Sequence, residues 1–427
     1  MPHPAAIALL AIAASTATAQ QAMTFSCAAK PGPRAIALSA TSLYAPDKPG
    51  FDLASAPTAF TGNACASDKP FFFSIPATDG NYKVTVVLGG PTASTTTLRA
   101  ESRRLILMEK SLPAKASDPV SFVVNVRLPE IAGTDTTVKL KPREIGALDW
   151  DNKLTLEFNG EHPALRSIAI ERVADVPTIY LAGDSTVVDQ DKEPWAAWGQ
   201  MLPLFVTDKA CIANEAESGE TIKSFLGERR WPKIMSTLKR GDYVLIQFAH
   251  NDQKPGNGFV SIPEYKDLMK RFIAEAEAKG ATTILVTAMN RRSFDADGKI
   301  KQTLGDYPQA TRDVAAELHL GLIDLNAMSK SLYEALGPEG TLKAFVHYPA
   351  NTFPGQTEEL KDDTHFNAYG AYELARAVVQ TIRDQHLALE RYLRPVIAPF
   401  SPERPDPLAN WHLPPSPAID TSTPYGR

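Results

Sequence analysis

The chain is short of the residues that metal and redox chemistry draw on. Its 427 residues include three cysteines, Cys27, Cys65 and Cys211. No C-x-x-C pair and no H-E-x-x-H run occurs, so a structural zinc site or a zincin-type metal centre has no ligand set to start from. Excess positive charge is missing too. Lys and Arg total 44 against 49 Asp and Glu, a formal net charge of −5, which offers no basic surface to nucleic acid or anionic lipid. Past its first residues the chain has no apolar run long enough for a transmembrane helix, so no membrane span is expected. No internal repeat is present.

Residues 1–19 read as an export signal. The apolar run 4–14 is too short to span a bilayer, and Ala17-Thr18-Ala19 supplies a small-x-small cleavage site before Gln20. The expected location is secreted or periplasmic. In such an oxidising compartment Cys27 and Cys65 can pair. Cys211, far off in sequence beside Ile212, reads as a buried thiol.

Two periodicities divide the chain beyond this leader. Over residues 23–174 apolar and polar residues alternate with period two. Tyr82, Val84, Val86 and Leu88 form one such face, Phe122, Val124, Val126 and Leu128 another, and Leu154, Leu156 and Phe158 a third. Many short strands separated by turn residues predict a β-sandwich. Over residues 177–392 the pattern changes to continuous apolar runs at 178–182, 243–248, 283–287 and 322–325. Such runs suit strands buried on both faces of a parallel sheet. Amphipathic stretches lie between them, such as 264–279 closed by Gly280, and a last helix is expected over 369–391. The alternation predicts an α/β fold, a three-layer α/β/α sandwich with right-handed crossovers. Residues 393–427 hold nine prolines in 35 positions and read as a tail that is extended over the surface or partly disordered.

The α/β half carries the chemistry. Its first strand runs into Gly183-Asp184-Ser185-Thr186, at the carboxyl end where ligand sites of such sheets gather. A later strand ends in Ala249-His250-Asn251-Asp252, where an asparagine can aim an N–H at a developing oxyanion, or simply make a polar turn. Gly219, before an amphipathic stretch, offers a backbone donor. Asp362-Asp363-Thr364-His365 precedes the last helix. Serine acyl transfer needs a base, and the base needs a third group to fix its tautomer. Three residues of spacing in a turn let Asp362 reach one imidazole nitrogen of His365, the other facing Ser185. Alone, each piece has a bland reading as a loop or a helix cap.

Together and in this order the pieces resemble the SGNH hydrolases, with Ser185, Gly219, Asn251 and His365 in the four named positions. The elbow G-x-S-x-G of the α/β-hydrolases is absent. The phrases Leu181-Ala-Gly-Asp-Ser-Thr-Val187, Trp198-Gly-Gln-Met-Leu202, Phe248-Ala-His-Asn-Asp252 and Asp362-Asp-Thr-His-Phe-Asn367 are most similar to rhamnogalacturonan acetylesterases. The resemblance implies a flavodoxin-like SGNH domain, a Ser185–His365–Asp362 triad, and an oxyanion hole from Ser185 N–H, Gly219 N–H and the Asn251 amide. It also implies an acetylated pectic polysaccharide as substrate, with no cofactor and no metal. It departs at Gly219-Glu220-Thr221, where many relatives carry Gly-Arg-Ser. The backbone donor survives that change. The N-terminal sandwich loosely resembles galactose-binding-like domains, which implies carbohydrate binding or, equally, a structural packing role.

Weaker candidates surround this set. Arg291 and Arg292 follow the 283–287 run and can contact an acidic sugar or be surface arginines. Trp195, Trp198 and Trp231 can stack on sugar rings or pack in the core. His347 and Tyr348 can rim the cleft, and His250 supports the Asn251 loop. Two other readings remain open: an esterase for acetylated xylan, a lipid or a thioester, and a non-catalytic carbohydrate-binding protein.

Overall fold

A computed structural model describes residues 22–256 and 258–424. The expected leader, residues 1–19, lies outside them. In the C-terminal half five parallel strands form the scaffold: Thr178–Gly183, Cys211–Asn214, Tyr243–Gln247, Thr282–Val286 and Gly321–Ile323. Taken in chain order, their spatial order is 2-1-3-4-5, the flavodoxin-like arrangement. Alternate side chains of these strands enter two cores. Ile179, Leu181, Leu245, Ile284 and Ile323 pack beneath the helices Leu325–Thr341 and Ala368–Asp384. Tyr180, Ala182, Val244, Ile246 and Leu285 pack beneath Ile222–Gly227, Arg230–Thr237, Ile262–Ala278 and Tyr307–Glu317. Both faces are therefore dry, which is why the strands lack polar alternation.

The sequence reading missed one strand, Cys211–Asn214. It has only four residues and is followed by the polar run Glu215-Ala216-Glu217-Ser218. The expected last helix is also shorter. Ala368–Asp384 ends the α-helix, and a 3-10 turn, Ala388–Tyr392, follows.

The N-terminal half is two antiparallel layers. Gly50–Asp52, Phe71–Pro76, Lys153–Asn159, Ser94–Ala100 and Arg104–Leu112 form one sheet. Asp118–Val126, Gly80–Leu88, Ala164–Val173 and Met23–Ser26 form the centre of the other. Tyr82, Val84, Val86 and Leu88 all point into the core between them, against Phe25, Phe73, Phe122 and Ile168. A disulfide joins Cys27 to Cys65 across 38 residues of chain.

The two halves are not separate sheets. Val124 pairs with Ile212 in parallel, which joins the outer sandwich layer to the α/β sheet as one sheet of 12 strands. Asn125 donates to Asn81, and Asn81 donates to Thr178 at 2.8 Å, closing the seam beside that pairing. The described part of the proline-rich tail, residues 393–424, is a strap held to both halves. Asp406 accepts hydrogen bonds from Tyr369 and Arg376, and Trp411 packs on Tyr369 and Tyr372. Further on, the Pro414 and Pro415 carbonyls accept from Arg99 and Asn159 of the sandwich. Backbone polar groups that proline cannot pair in a ladder are met here by side chains. Among the described residues no helix is long and apolar enough to cross a membrane.

Closing a loop of 38 residues removes chain entropy worth about 4 kcal/mol from the unfolded state. Replacing Cys27 and Cys65 by serine together should lower unfolding stability by up to about that amount. Urea titration followed by tryptophan fluorescence reads it; an unchanged midpoint would show that the bridge does not constrain the unfolded chain.

Candidate functional site

The first and third strands in chain order are neighbours, and the connections leaving them run to opposite sides. Their carboxyl ends therefore open a crevice. Gly183 ends the first strand. A Cβ there would lie 2.6 Å from Val187 Cγ2 and 2.9 Å from Gln247 O, so only glycine fits. Asp184 then shapes the turn, its Oδ1 accepting from Thr186 N (2.9 Å) and Thr186 Oγ1 (2.7 Å). Ser185 follows, 1% exposed.

His365 and Asp362 come from another element, the strand Leu360–Phe366, which pairs with Phe345–Tyr348. The sequence suggested a turn, and the structure makes that turn as a bulge. Phe345 pairs with Phe366 and Val346 with Asp362, so residues 363–365 loop out of register. The bulge lets Asp362 Oδ1 accept from Thr364 N (2.8 Å) and His365 N (2.9 Å), while Oδ2 lies 2.9 Å from His365 Nδ1. Burial pushes the Asp362 carboxyl up, but these hydrogen bonds and the neighbouring imidazole outweigh it and hold the group below its ordinary value. An ionised carboxylate only accepts, so Nδ1 carries the proton and the neutral ring leaves Nε2 as acceptor. Ser185 Oγ lies 2.9 Å from that Nε2. The edge of Trp195 packs against the imidazole with ring centroids 5.9 Å apart.

Three donors were expected from the sequence: the N–H groups of Ser185 and Gly219 and the Asn251 amide. Among the described residues neither Ser185 N–H nor Gly219 N–H makes a hydrogen bond. Asn251 has a fixed amide orientation. Lys254 Nζ can only donate, so the atom 3.0 Å from it is Oδ1, and Nδ2 donates to Glu220 O at 3.0 Å. One N–H of Nδ2 remains. The turn beneath is held from inside: Asp252 Oδ1 accepts from Ile222 N (2.8 Å), and His250 Nδ1 lies 3.4 Å from Asp184 Oδ2. Burial pushes Asp252 up to about 8 and lowers His250 despite the opposing Asp184 charge. Ala249, just before, has φ 147°, a region that favours glycine.

Glu220, where the sequence departs from the family phrase, is fully buried and paired. Lys141 Nζ is 2.5 Å from it and Arg230 Nε 3.4 Å, so its charge is balanced inside the protein. Lys141 also donates to Ser218 O at 2.7 Å, beside Gly219.

The sequence reading did not find the contacts that the sandwich makes under this loop. The hairpin between Ser94–Ala100 and Arg104–Leu112 carries Arg103 and Arg104 into it. Arg104 Nε meets Asp189 Oδ2 at 2.5 Å, and Asn214 Nδ2 binds Asp189 Oδ1 and Val187 O. Arg103 donates to the carbonyls of Gln190 (3.0 Å) and Trp195 (2.8 Å) and pairs with Glu193. Gln190 Nε2 in turn donates to Ser185 O at 3.0 Å. In the sequence Glu101-Ser-Arg-Arg104 looks like any solvated hairpin tip.

The weaker candidates part company. Arg291 is half-buried and donates to the carbonyls of His250 (2.9 Å) and Thr303 (3.3 Å). Among the described residues it forms no ion pair, and burial lowers its pKa. Arg292 is instead spent on protein contacts, with Thr341, Asp363 and Pro338 O. His347 is held by Asp363 at 2.9 Å, and Tyr348 OH lies 3.3 Å from Asn367 Nδ2. The tryptophans are not stacking platforms. Trp195 is 2% exposed with its N–H on Asp420 O, Trp198 is buried against Gln247, and Trp231 stacks on Phe272. Cys211 is buried, and burial pushes its thiol up to about 12.

Residues 181–372 match the model of the GDSL-like lipase/acylhydrolase family. Over 217 residues the chain is 40% identical to the rhamnogalacturonan acetylesterase RhgT of Bacillus subtilis (strain 168), covering 50% of this chain and 93% of the relative. The chain belongs to the GDSL-like lipase/acylhydrolase family. It is accordingly a carboxylic ester hydrolase. A second similar protein from the same organism, the probable rhamnogalacturonan acetylesterase YesY, is 32% identical over 215 residues, 49% of this chain and 94% of that one. Among solved structures, one of the Bacillus subtilis protein YXIM aligns at 25% identity with a TM-score of 0.47, over 86% of this chain and 99% of that chain.

Replacing Arg104 by alanine would leave Asp189 without its cationic partner in the interior, while Asp149 keeps Arg127. Removing one partner of a buried ion pair costs about 3–5 kcal/mol. The Arg104→Ala variant should lose stability on that scale in denaturant titration; a loss below about 1 kcal/mol would mean that the pair is not desolvated.

Proposed function

We propose that this hydrolase removes O-acetyl groups from an acidic, pectin-like polysaccharide with Ser185 as nucleophile. The single observation that carries the catalytic part is the Ser185–His365–Asp362 relay, with both links at 2.9 Å. Ser185 Oγ attacks the acetyl carbonyl as His365 Nε2 takes its proton, and Asp362 stabilises the imidazolium. The oxyanion receives Ser185 N–H, Gly219 N–H and the remaining N–H of Asn251. Collapse of the tetrahedral adduct breaks the bond to the sugar oxygen, which leaves with the proton from His365. Water, deprotonated by His365, then attacks the acetyl-enzyme; acetate departs and Ser185 regains its proton.

Two observations support the substrate class. The similar proteins RhgT and YesY, and a third from Emericella nidulans, bear the name rhamnogalacturonan acetylesterase, the second with the qualifier probable. Arg291 presents a guanidinium with no carboxylate partner among the described residues, beside the His250–Asn251 turn. A uronate carboxylate would supply that partner. Action outside the cytoplasm is supported by the small-x-small leader and by the Cys27–Cys65 disulfide.

Ser185→Ala should abolish hydrolysis of an aryl acetate, and Asn251→Ala should lower kcat by about 10²–10³. Near-normal turnover in either removes that residue from the mechanism. Acetate release from acetylated rhamnogalacturonan, homogalacturonan and xylan tests the substrate. The acidic glycans should be preferred, and Arg291→Gln should raise KM for them about tenfold, the loss of one charge-assisted contact, while leaving xylan unaffected. Equal release from xylan by the unmodified protein would overturn the acidic preference.

A further inference from the structure

Three segments remote in sequence meet beside the catalytic loop and enclose a cleft of about 360 Å³. The sandwich stretch between Asp118–Val126 and Lys153–Asn159 supplies Arg143 and Ala147, the loop that follows Ser185 supplies Asp191 and Lys192, and the end of the strap supplies Asp420 and Ser422. All but the loop after Ser185 lie outside the stretch that matches the family, residues 181–372.

The cleft is coupled to the nucleophile through short links. Arg143 donates to Gln190 Oε1 (3.3 Å), and Gln190 Nε2 donates to Ser185 O (3.0 Å). Trp195, which touches His365, forms part of the same wall. The strap end is locked in place. Glu193 N donates to Ala418 O, Asp420 N to Glu193 O, and Trp195 Nε1 to Asp420 O, at 2.8, 3.0 and 2.9 Å. A wall pinned at three points on the catalytic loop is a built surface and not a loose terminus.

Resting on the polysaccharide reading of the active site, we propose that this cleft is a subsite for the pyranose ring next to the acetylated one along the glycan chain. Its lining sets the guanidinium of Arg143, the ammonium of Lys192, the carboxylates of Asp191 and Asp420 and the Ser422 hydroxyl beside the apolar Ile145 and Pro424. That pattern matches vicinal sugar hydroxyls and is unfavourable for a lipid acyl chain, which would strip water from the charges without replacing it. The volume corresponds to about a dozen waters at ~30 Å³ each, room for one to two rings. The subsite adds binding energy on the sugar side only, so it distinguishes a long substrate from a small ester.

Ala147→Trp fills the cleft without removing a polar contact, and a chain ending at Thr421 removes part of one wall. Both should hydrolyse an aryl acetate within twofold of the unmodified protein. For acetylated rhamnogalacturonan oligosaccharides Ala147→Trp should raise KM at least tenfold, and the shortened chain severalfold. Unchanged KM in both, with normal release by the unmodified protein, overturns the subsite alone. If Ala147→Trp also loses aryl acetate hydrolysis, the shortened chain decides by the same criterion. If the unmodified protein cleaves the aryl acetate but releases no acetate from any polysaccharide, the polysaccharide reading fails and the subsite with it.

Discussion

A guanidinium removed from water must find its hydrogen bonds inside the protein or it destabilises the fold by several kcal/mol. Arg104 sits 2% exposed under the loop that follows Ser185 and meets that demand with Asp189, Asp149 and the Asn125 carbonyl. Asp189 is held in turn by Asn214, which also binds Val187 O two residues after Ser185. The sandwich supplies Arg104, Asp149 and Asn125; the α/β half supplies Asp189 and Asn214. Neither side satisfies its charges alone. The loop that starts at Ser185 therefore takes its shape from a contact between the two halves, and Arg103 repeats the pattern on Gln190, Glu193 and Trp195.

This explains how Ser185, on a short turn, stays aligned with His365 from a distant hairpin. Ser185 is positioned from below by Gln190 and from within by the Asp184 turn. His365 is positioned by Asp362 on one side and by Trp195 on the other. Trp195 is tied to the sandwich through Arg103 and to the strap through Asp420. Serine and histidine are thus referred to one rigid frame, the preorganisation that acyl transfer requires.

Legibility in the sequence is a matter of range. Doubly buried strands have a local signature in runs such as Tyr243–Gln247, and the sandwich has one in alternations such as Tyr82 to Leu88. Ser185 and Asn251 were readable because strand–loop order places them at one sheet edge; His365 was readable from its place just before the last helix, although a separate hairpin carries it. Asp362 was readable because its partner is three residues away, although the bulge that joins them was not. Cys211–Asn214 was too short to stand out from the polar residues after it. Arg103 and Arg104 carry no local mark, because their partners lie about 85 to 92 residues on. The strap looked like a loose surface tail for the same reason: its partners, Arg99, Asn159 and Glu193, are more than 200 residues away. For the tryptophans the sequence left both readings open, because an aromatic ring looks the same there whether it faces a sugar or a core, and the structure puts all three in the core.

The pairing of Val124 with Ile212 makes one sheet of the two halves, and only residues 174–177 separate their last and first strands. A module on a flexible tether can face any way while its partner searches nearby polymer. Here the sandwich has no such swivel. Whatever surface it rests on, the crevice at Ser185 meets that surface at one fixed angle, so its reach along that surface is set by translation of the whole body and not by rotation of its parts.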